Sequence, residues 1–376
     1  MAARKITITQ QASGTWAGDT TITTALERIG VITQIEMTCE VTPSATLTGA
    51  NQPDGLFRPI QNMRIVGSQE TYFNLPADDG CQGGVLLHYL NRADGFGLGH
   101  SDGAITAPST TFQPINYVYH CGSRPRMPEH PTVENPFDLT ALIPASREGQ
   151  LNAEWTTSGS DVMDDTVTIT SAVMRFTVHR MLGTDEEIKQ EMAAQRVNMP
   201  PGAAAMLPAW SATRHVNVGT TTDFESEQVD VTVGAFLKRI VWITQDATAT
   251  RTLRASDEVT RVALLYPKTS ENLFQSFTHW MNLHNEYGSN LEVDDAAADF
   301  QAHVAKGFYV LDWRSRAVGH EGYKRDYGMD LRGVTNGDLK LGLFIGTFAA
   351  GDDTLIVFER YRTYMPTDGR LVQVAS

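Results

Sequence analysis

Residues 26–34 read Leu-Glu-Arg-Ile-Gly-Val-Ile-Thr-Gln, and residues 237–245 read Leu-Lys-Arg-Ile-Val-Trp-Ile-Thr-Gln. Leu, Arg, Ile, Ile, Thr and Gln recur without a gap. A repeat of this kind changes how the whole chain is interpreted, because it indicates a duplicated unit. One short stretch can recur by chance, so its weight depends on whether the flanking sequence repeats in the same order.

Other echoes flank this stretch and keep one order in both halves. Arg4–Ile8 resembles Arg214–Val218, and the His-aromatic-apolar-Asn sequence at 88–91 returns at 279–282. Matches separated by 192 residues are Tyr117-Val118, Ser123-Arg124, Glu129 and Asp138-Leu139 with Tyr309-Val310, Ser315-Arg316, Glu321 and Asp330-Leu331. Matches separated by 188 residues are Gly149, Leu151 and Asp164-Asp165-Thr166 with Gly337, Leu339 and Asp352-Asp353-Thr354. The chain therefore reads as two copies of one domain.

Length and composition agree with a duplication. The 376 residues fit two ordinary domains. Hydrophobic residues make up 41% and charged residues 20%, typical of a soluble globular protein, with no apolar run near the roughly 20 residues of a membrane span. The first residues lack an apolar signal core, so we expect no secretion signal.

Charge and cysteine content exclude two classes of protein. The net charge of -14 argues against a broad phosphate-binding surface, so direct sequence-specific nucleic-acid binding is not expected. Cys39, Cys81 and Cys121 are an odd number and all lie in the first copy. A disulfide framework would be even and dense, so we expect buried thiols made in a reducing compartment.

The local patterns predict mainly short strands. β-Branched residues and Thr dominate up to residue 48, and Gly14, Gly18 and Asp19 interrupt them. In the second copy, apolar residues from Leu339 to Ile345 alternate with other residues, as in a strand with one face inward. Leu355–Phe358 follows as an apolar strand.

One helix is predicted inside each copy, at the His-aromatic-apolar-Asn echo. In the first copy it spans about residues 80–92. In the second copy Ser270 is its predicted N-cap. Its apolar face consists of Leu273, Phe274, Phe277, Trp280 and Met281.

A third helix is predicted between the copies. Thr184-Asp185-Glu186-Glu187 is a capping-box start, the helix reaches about Val197, and Asn198–Gly202 stops it. We therefore divide the chain into an N-terminal domain at 1–183, a helical and Pro-rich linker at 184–209, and a C-terminal domain at 210–376.

About eight strands, one helix and long loops are the content of a jelly roll. With two in tandem, the chain resembles the double jelly-roll major capsid proteins of icosahedral DNA viruses, the lineage that joins tectivirus-like phages to adenovirus. The resemblance covers nearly all residues and is carried by the duplicated Leu-x-Arg-Ile strand, internal helix and Asp-Leu plus Asp-Asp-Thr ending. The expected fold is all-β: two tandem eight-stranded jelly rolls, each with a short internal helix, joined by a helical linker.

The resemblance implies a structural coat subunit of a bacteriophage or archaeal virus, made in the host cytoplasm and located in the virion. Three chains would form a homotrimer whose six jelly rolls make a pseudo-hexameric capsomer of an icosahedral shell. Implied partners are neighbouring capsomers, vertex (penton) and minor capsid proteins, and an internal lipid membrane. The unequal loops at 43–59, 95–114 and 287–305 are where the two copies are expected to diverge.

No catalytic, cofactor or metal site is predicted. The glycine-rich Gly95–Gly99 lacks the flanking strand and helix of a dinucleotide site and reads as a turn. Asp164-Asp165 and Asp352-Asp353 resemble acid–base pairs, but at predicted hairpin tips they read as turn residues. No Gly-x-Ser-x-Gly elbow anchors a serine hydrolase.

The remaining candidates read as structural. His100 with Asp102, and His120 with Cys121, lack metal-ligand spacing. His88 and His279 lie at matching helix positions and read as core or interface residues. The six tryptophans are scattered and read as core or subunit contacts rather than a sugar platform: Trp16, Trp155, Trp210, Trp242, Trp280 and Trp313.

Two alternatives stay open. A tandem jelly roll is also the fold of secreted bacterial glycoamidases that remove N-linked glycans, with acidic residues at the seam between domains. The other alternative is a carbohydrate-binding pair on a phage tail or fibre.

Overall fold

This computed structural model describes most of the first copy and part of the second. The described residues are 3–45, 57–68, 70–75, 82–94, 113–124, 126–127, 130–161, 167–216, 229–230, 234–245, 259–265, 273–276, 308–312, 327–345 and 353–373. They form mainly antiparallel strands, with few helices.

The main strands of the first copy are β1 Arg4–Thr15, β2 Thr21–Ala25, β3 Val31–Pro43, β4 Ile60–Gly67, β5 Thr71–Leu75, β6 Gln113–His120, β9 Leu151–Thr157 and β10 Ile169–Leu182. They form two four-stranded sheets, in the orders β1-β10-β3-β6 and β2-β9-β4-β5. A small hairpin pairs β7 Arg126–Met127 with β8 His130–Glu134.

The core of the first copy lies between these two sheets. Along β3, Ile35, Met37, Cys39 and Val41 are buried, and the residues between them are half-buried. This is the period of two that a strand with one inward face requires. Across the core, the ring of Trp155 on β9 lies 5.7 Å from that of Phe176 on β10. The first copy is therefore a two-sheet sandwich.

The second copy repeats this topology strand for strand. Its strands are β11 Ala205–Val216, β12 Val229–Asp230, β13 Phe236–Gln245, β14 Val259–Leu265, β15 Leu273–Ser276, β16 Phe308–Asp312, β17 Met329–Asp330, β18 Lys340–Ile345 and β19 Asp353–Tyr364. The sheets have the orders β11-β19-β13-β16 and β12-β18-β14-β15, so these eight strands occupy the places of their counterparts, and the short β17 pairs with β13 in addition. The predicted duplication and all-β fold class are confirmed.

Two predicted helices are present. Helix α1, Gln82–Asp94, buries Val85, Leu86, Leu87 and Leu90. Helix α2, Asp185–Ala194, starts with the predicted capping box: the Glu187 carboxylate accepts from the Thr184 amide (2.8 Å), and the Thr184 hydroxyl accepts from the Glu187 amide (3.4 Å). It ends before Val197, because Arg196 adopts a left-handed backbone (φ 53°).

The predicted helix of the second copy is wrong at its start. Leu273–Ser276 form strand β15, which pairs with Arg261–Leu264 of β14. A helix pattern in a short apolar stretch is overridden when a neighbouring strand offers a ladder of backbone hydrogen bonds. The rest of the predicted helix, including Phe277, Trp280 and Met281, lies outside the described residues.

The sequence echoes do not share one structural register. Tyr117 on β6 lies opposite Met37 on β3, whereas Tyr309 on β16 lies opposite Trp242 on β13. The repeated stretch equates Trp242 with Val31, which is six residues before Met37. The pairing of the repeated stretch has therefore shifted by six residues between the two copies.

The chain forms two compact units. Described residues up to Trp210 and those from Tyr361 onward belong to the first unit, and those from Ser211 to Arg360 belong to the second. The boundaries predicted at 183 and 209 remain a prediction, whereas residues 361–373 pack with the first unit. In the described part of the chain, no helix has the length and apolar character needed to cross a membrane.

Candidate functional site

A buried carboxylate network in the first unit centres on Asp138. Its side chain is 1% exposed and accepts from the Arg124 amide (2.8 Å) and from the Thr140 hydroxyl (2.6 Å). His120, at the end of β6, places Nε2 3.6 Å from Asp138 Oδ2. A β-carbon at Gly122 would lie 2.1 Å from that same oxygen, so only glycine fits beside the carboxylate.

A chain of polar groups extends from this carboxylate along the sheet. Nδ1 of His120 lies 3.0 Å from Gln34 Oε1, and Gln34 Nε2 donates to Glu36 (2.5 Å). Glu36 also accepts from Nε2 of His179 on β10 (2.7 Å). Gln34 closes the repeated stretch 26–34, which therefore contributes to the network as well as to the core.

The electrostatics of the network favour ionised carboxylates. Burial raises the pKa of Asp138, but the close approach of the His120 ring, the charge of Arg124 and the hydrogen bond from the Thr140 hydroxyl outweigh burial, so the pKa lies below its ordinary value of 3.8. Glu36 behaves alike: burial raises its pKa, and the hydrogen bond and charge of His179 lower it below 4.5.

The same network is connected to the end of helix α2. Nη1 of Arg124 donates to the Gln195 carbonyl (3.0 Å). The Gln195 side chain accepts from the Leu139 amide (3.0 Å) and donates to the Phe137 carbonyl (3.0 Å). The Asp138 loop thus cross-links the end of strand β6 to the segment after α2, and these contacts stabilise the fold.

A second buried carboxylate, Glu148, holds the turn after β4. It accepts from the amide and hydroxyl of Ser68 (2.7 Å each) and from the hydroxyl of Tyr72. Burial and the hydrogen bond to Glu148 both raise the pKa of Tyr72, so this phenol stays protonated. Arg28 donates to the Glu148 carbonyl (3.3 Å) and so connects the repeated stretch to this turn.

In the second unit, the repeated stretch supplies a buried ion cluster instead. Lys238 and Arg239 both contact the carboxylate of Glu359 on β19, and all three side chains are at most 2% exposed. Arg28, the sequence counterpart of Arg239, is exposed and binds backbone carbonyls. The equivalent arginines thus bind loop carbonyls in the first copy and form part of a buried charge cluster in the second.

The candidates singled out by sequence are scattered. His120 belongs to the Asp138 network, His88 lies on α1, Asp353 begins β19, and Cys39 and Cys121 are buried thiols, with burial raising the pKa of Cys39 to about 12. Trp155, Trp210 and Trp242 are buried, and Trp16 is half-buried. Outside the described residues lie Cys81, Gly95–Gly99, His100, Asp102, Asp164-Asp165, His279, Trp280, Trp313 and Asp352.

No sequence pattern predicts the Asp138, Glu148 and Glu359 networks, because their members are far apart in the chain. The one available signal was the repeated Asp-Leu pair at 138 and 330. Among the residues with a described structure, no group of three His, Cys, Asp or Glu side chains is arranged to hold a metal ion. The networks around Asp138, Glu148 and Glu359 form cross-links within the fold.

Comparison with known proteins gives matches at the level of structure. No family model matches the chain, and no curated protein matches its sequence. The crystal structure of the STIV major capsid protein is 17% identical, with a TM-score of 0.64 over 96% of this chain and 97% of that chain. The atomic structure of Sulfolobus Turreted Icosahedral Virus is also 17% identical, with a TM-score of 0.62 over 96% of this chain and 91% of that chain.

A third capsid structure is similar over nearly the whole chain at lower sequence identity. The PBCV-1 virus capsid is 9% identical, with a TM-score of 0.54 over 96% of this chain and 94% of that chain. These matches extend over both copies, and each copy has the eight-strand order described above. The chain therefore has the double jelly-roll fold of the major capsid proteins of icosahedral viruses.

Proposed function

We propose that this chain is the major capsid protein of an icosahedral virus and a structural component of the virion. The observation that carries the proposal is the identical strand order of the two copies, together with structural similarity to capsid proteins over 96% of the chain. Fold similarity alone does not define a function. Here, however, the similarity covers the tandem arrangement as well as one jelly roll.

The proposed assembly is a homotrimer that acts as a pseudo-hexameric capsomer. Two jelly rolls per chain give six per trimer, so a threefold particle can occupy a sixfold lattice position. Two copies on one chain can also diverge independently, which allows different contacts around the tile. Arg28 binds a backbone carbonyl whereas its counterpart Arg239 pairs with the buried Glu359, and this difference supports divergence of the two copies.

The proposed partners are neighbouring capsomers, vertex (penton) and minor capsid proteins, and an internal lipid membrane. The net charge of -14 supports contacts with proteins or lipid rather than direct packaging of nucleic acid. The domain division at 1–183, 184–209 and 210–376 is part of this proposal, with residues after 361 returning to the first unit.

We also propose a structural rather than catalytic role. Two buried carboxylates, Asp138 and Glu148, each accept several hydrogen bonds from the chain itself. A third, Glu359, contacts two buried cations. Carboxylates bound in this way stabilise the fold and are poorly placed to exchange protons with a substrate.

The test is the oligomeric state of the purified full chain, measured by light scattering coupled to size exclusion and by negative-stain electron microscopy. We expect particles of three times the mass of one chain, with a six-lobed outline. A strict monomer under all salt and pH conditions contradicts the proposal. Cleavage of a denatured glycoprotein, or glycan-array binding by such a monomer, would favour the glycoamidase or carbohydrate-binding alternative instead.

A further inference from the structure

Residues 366–373, here named the clasp, follow strand β19 and turn back onto the first unit. The Gly369 amide donates to the Pro366 carbonyl (2.9 Å), and Gly369 has a left-handed backbone (φ 64°). Met365, just before the clasp, is 57% exposed, whereas Leu371 within it is fully buried. The clasp therefore runs from the exposed residue Met365 to two buried side chains, Leu371 and Val372, before its last residue, Gln373, is exposed again.

The apolar part of the clasp packs in the same cluster as helix α2. Leu371 and Val372 lie with Ile188 and Met192, the two buried residues of α2. The other buried members come from β3, β10, β11 and the loop after the Asp138 network: Val31, Met181, Ala205, Leu139 and Leu142. Leu371 and Val372 thus complete the cluster that holds α2.

Polar contacts join the clasp directly to α2. The Leu371 amide donates to the Asp185 carboxylate (2.5 Å), and Lys189 Nζ donates to the Gly369 carbonyl (3.3 Å). Asp185 and Lys189 also form an ion pair of 2.6 Å with each other, one turn apart on the helix. The exposed side of the first helical turns is therefore bound to the backbone of the clasp.

Further contacts join the clasp to the 3-10 turn Ala145–Arg147. Arg147 donates two hydrogen bonds to the Asp368 carboxylate (2.7 and 3.0 Å), and the Gln373 amide donates to the Ser146 hydroxyl (3.2 Å). The hydrogen bond with Asp368 raises the pKa of Arg147, and that with Arg147 lowers the pKa of Asp368. The pair is nonetheless solvated, with side chains 21% and 44% exposed.

The contacts that hold the clasp are individually weaker than the strand pairing that holds β10 in its sheet. Strand β10 pairs along its length with β1 on one side and β3 on the other. The clasp relies on a solvated ion pair, which contributes little to stability, on single hydrogen bonds, and on two apolar side chains. Regions with fewer buried contacts open locally before the core unfolds.

We propose that the clasp is a releasable strap over helix α2. It opens while both sheets of the first unit stay intact, and its opening removes Leu371 and Val372 from the side of Ile188 and Met192 and so loosens α2. The loosened helix lies in the part of the chain that connects β10 of the first copy to β11 of the second. This inference holds whether or not the protein forms a shell.

The experiment is hydrogen exchange of the full chain, followed by mass spectrometry, in Leu371→Ala and Arg147→Ala. In Leu371→Ala we expect peptides covering 185–194 to exchange roughly tenfold faster than in the parent, with peptides of β10 unchanged. Arg147→Ala should shift the same peptides in the same direction by a smaller factor. The matched control is Arg64→Ala, which removes a solvated ion pair with Glu154 elsewhere in the first unit (3.5 Å) and should leave α2 at the parental rate.

Two outcomes would contradict the proposal that the clasp opens on its own. One is equal acceleration of α2 and β10 peptides in Leu371→Ala, which shows that the segment opens only with the whole unit. The other is an unchanged α2 rate in both variants. If Leu371→Ala does not fold, Arg147→Ala decides the question, because it leaves every side chain of the apolar cluster in place.

Discussion

Gly30 faces the carbonyl oxygen of Met181 so closely that a β-carbon at residue 30 would lie 2.1 Å from that oxygen. Its backbone is left-handed (φ 59°), at the point where residues 26–30 enter strand β3. The sequence counterpart of Gly30 is Val241, which is buried within strand β13. One repeated stretch thus adopts two backbone conformations, and the glycine marks where they separate.

Gly30→Ala should lower the free energy of unfolding by about 2–4 kcal/mol, because a left-handed alanine is strained and its β-carbon meets backbone. Urea unfolding followed by circular dichroism measures the change. Gly14→Ala is the matched control, since nothing lies within 4 Å of a β-carbon there, and it should change stability by less than about 0.5 kcal/mol. Equal effects of the two substitutions would show that the close approach to Met181 is unimportant.

The repeated aspartates at 138 and 330 should differ in their contribution to stability. Asp138→Ala removes a buried carboxylate and leaves His120 and Arg124 without their charge partner, at a cost of about 3–5 kcal/mol. Asp330→Ala removes an exposed carboxylate paired with Arg332 (2.7 Å, 49% exposed) and should cost less than about 1 kcal/mol. Thermal unfolding of both variants tests the contrast, and similar losses would refute it.

Stability should fall in acid partly through Asp138 and Glu36. Both have folded-state pKa values below the ordinary 3.8 and 4.5, so the unfolded chain binds more protons in acid than the folded chain. Their stabilisation is fully present above these ordinary values and is lost as the pH falls through the lowered ones. Urea midpoints between neutral pH and pH 3 should decline less steeply in Asp138→Asn, and an unchanged slope would exclude Asp138 as a contributor.

An aromatic cluster joins β5, β6 and β11 in the first unit. The Trp210 ring lies 4.7 Å from Phe73 and 5.7 Å from Tyr119, both in edge-on geometry. A double-mutant cycle with Phe73→Leu and Trp210→Leu should give a coupling free energy of about 0.5–1.5 kcal/mol, because edge-to-face rings interact beyond their buried area. Strictly additive losses in unfolding free energy would contradict the ring interaction.

Several features of the fold could be predicted from sequence because they are local or depend on comparing the chain with itself. The capping box at Thr184 and Glu187 needs only four residues, and the alternation from Leu339 to Ile345, where strand β18 lies, follows from the pleat. The strand at Leu273–Ser276 could not be recognised, because its helical spacing is real and only pairing with β14 decides against it. The Asp138 and Glu148 networks join residues far apart in the chain, so no local pattern indicates them.

The sequence by itself determined that one jelly roll was copied, since the order of the echoes, and one separation within each block of echoes, are preserved between the two halves. Only the tertiary structure decided what each repeated residue does. Ile29 is 42% exposed whereas its counterpart Ile240 is fully buried, and Asp138 is buried whereas Asp330 is exposed. The physical reason is that burial and pairing depend on neighbours brought together from distant parts of the chain, and those neighbours differ between the two copies.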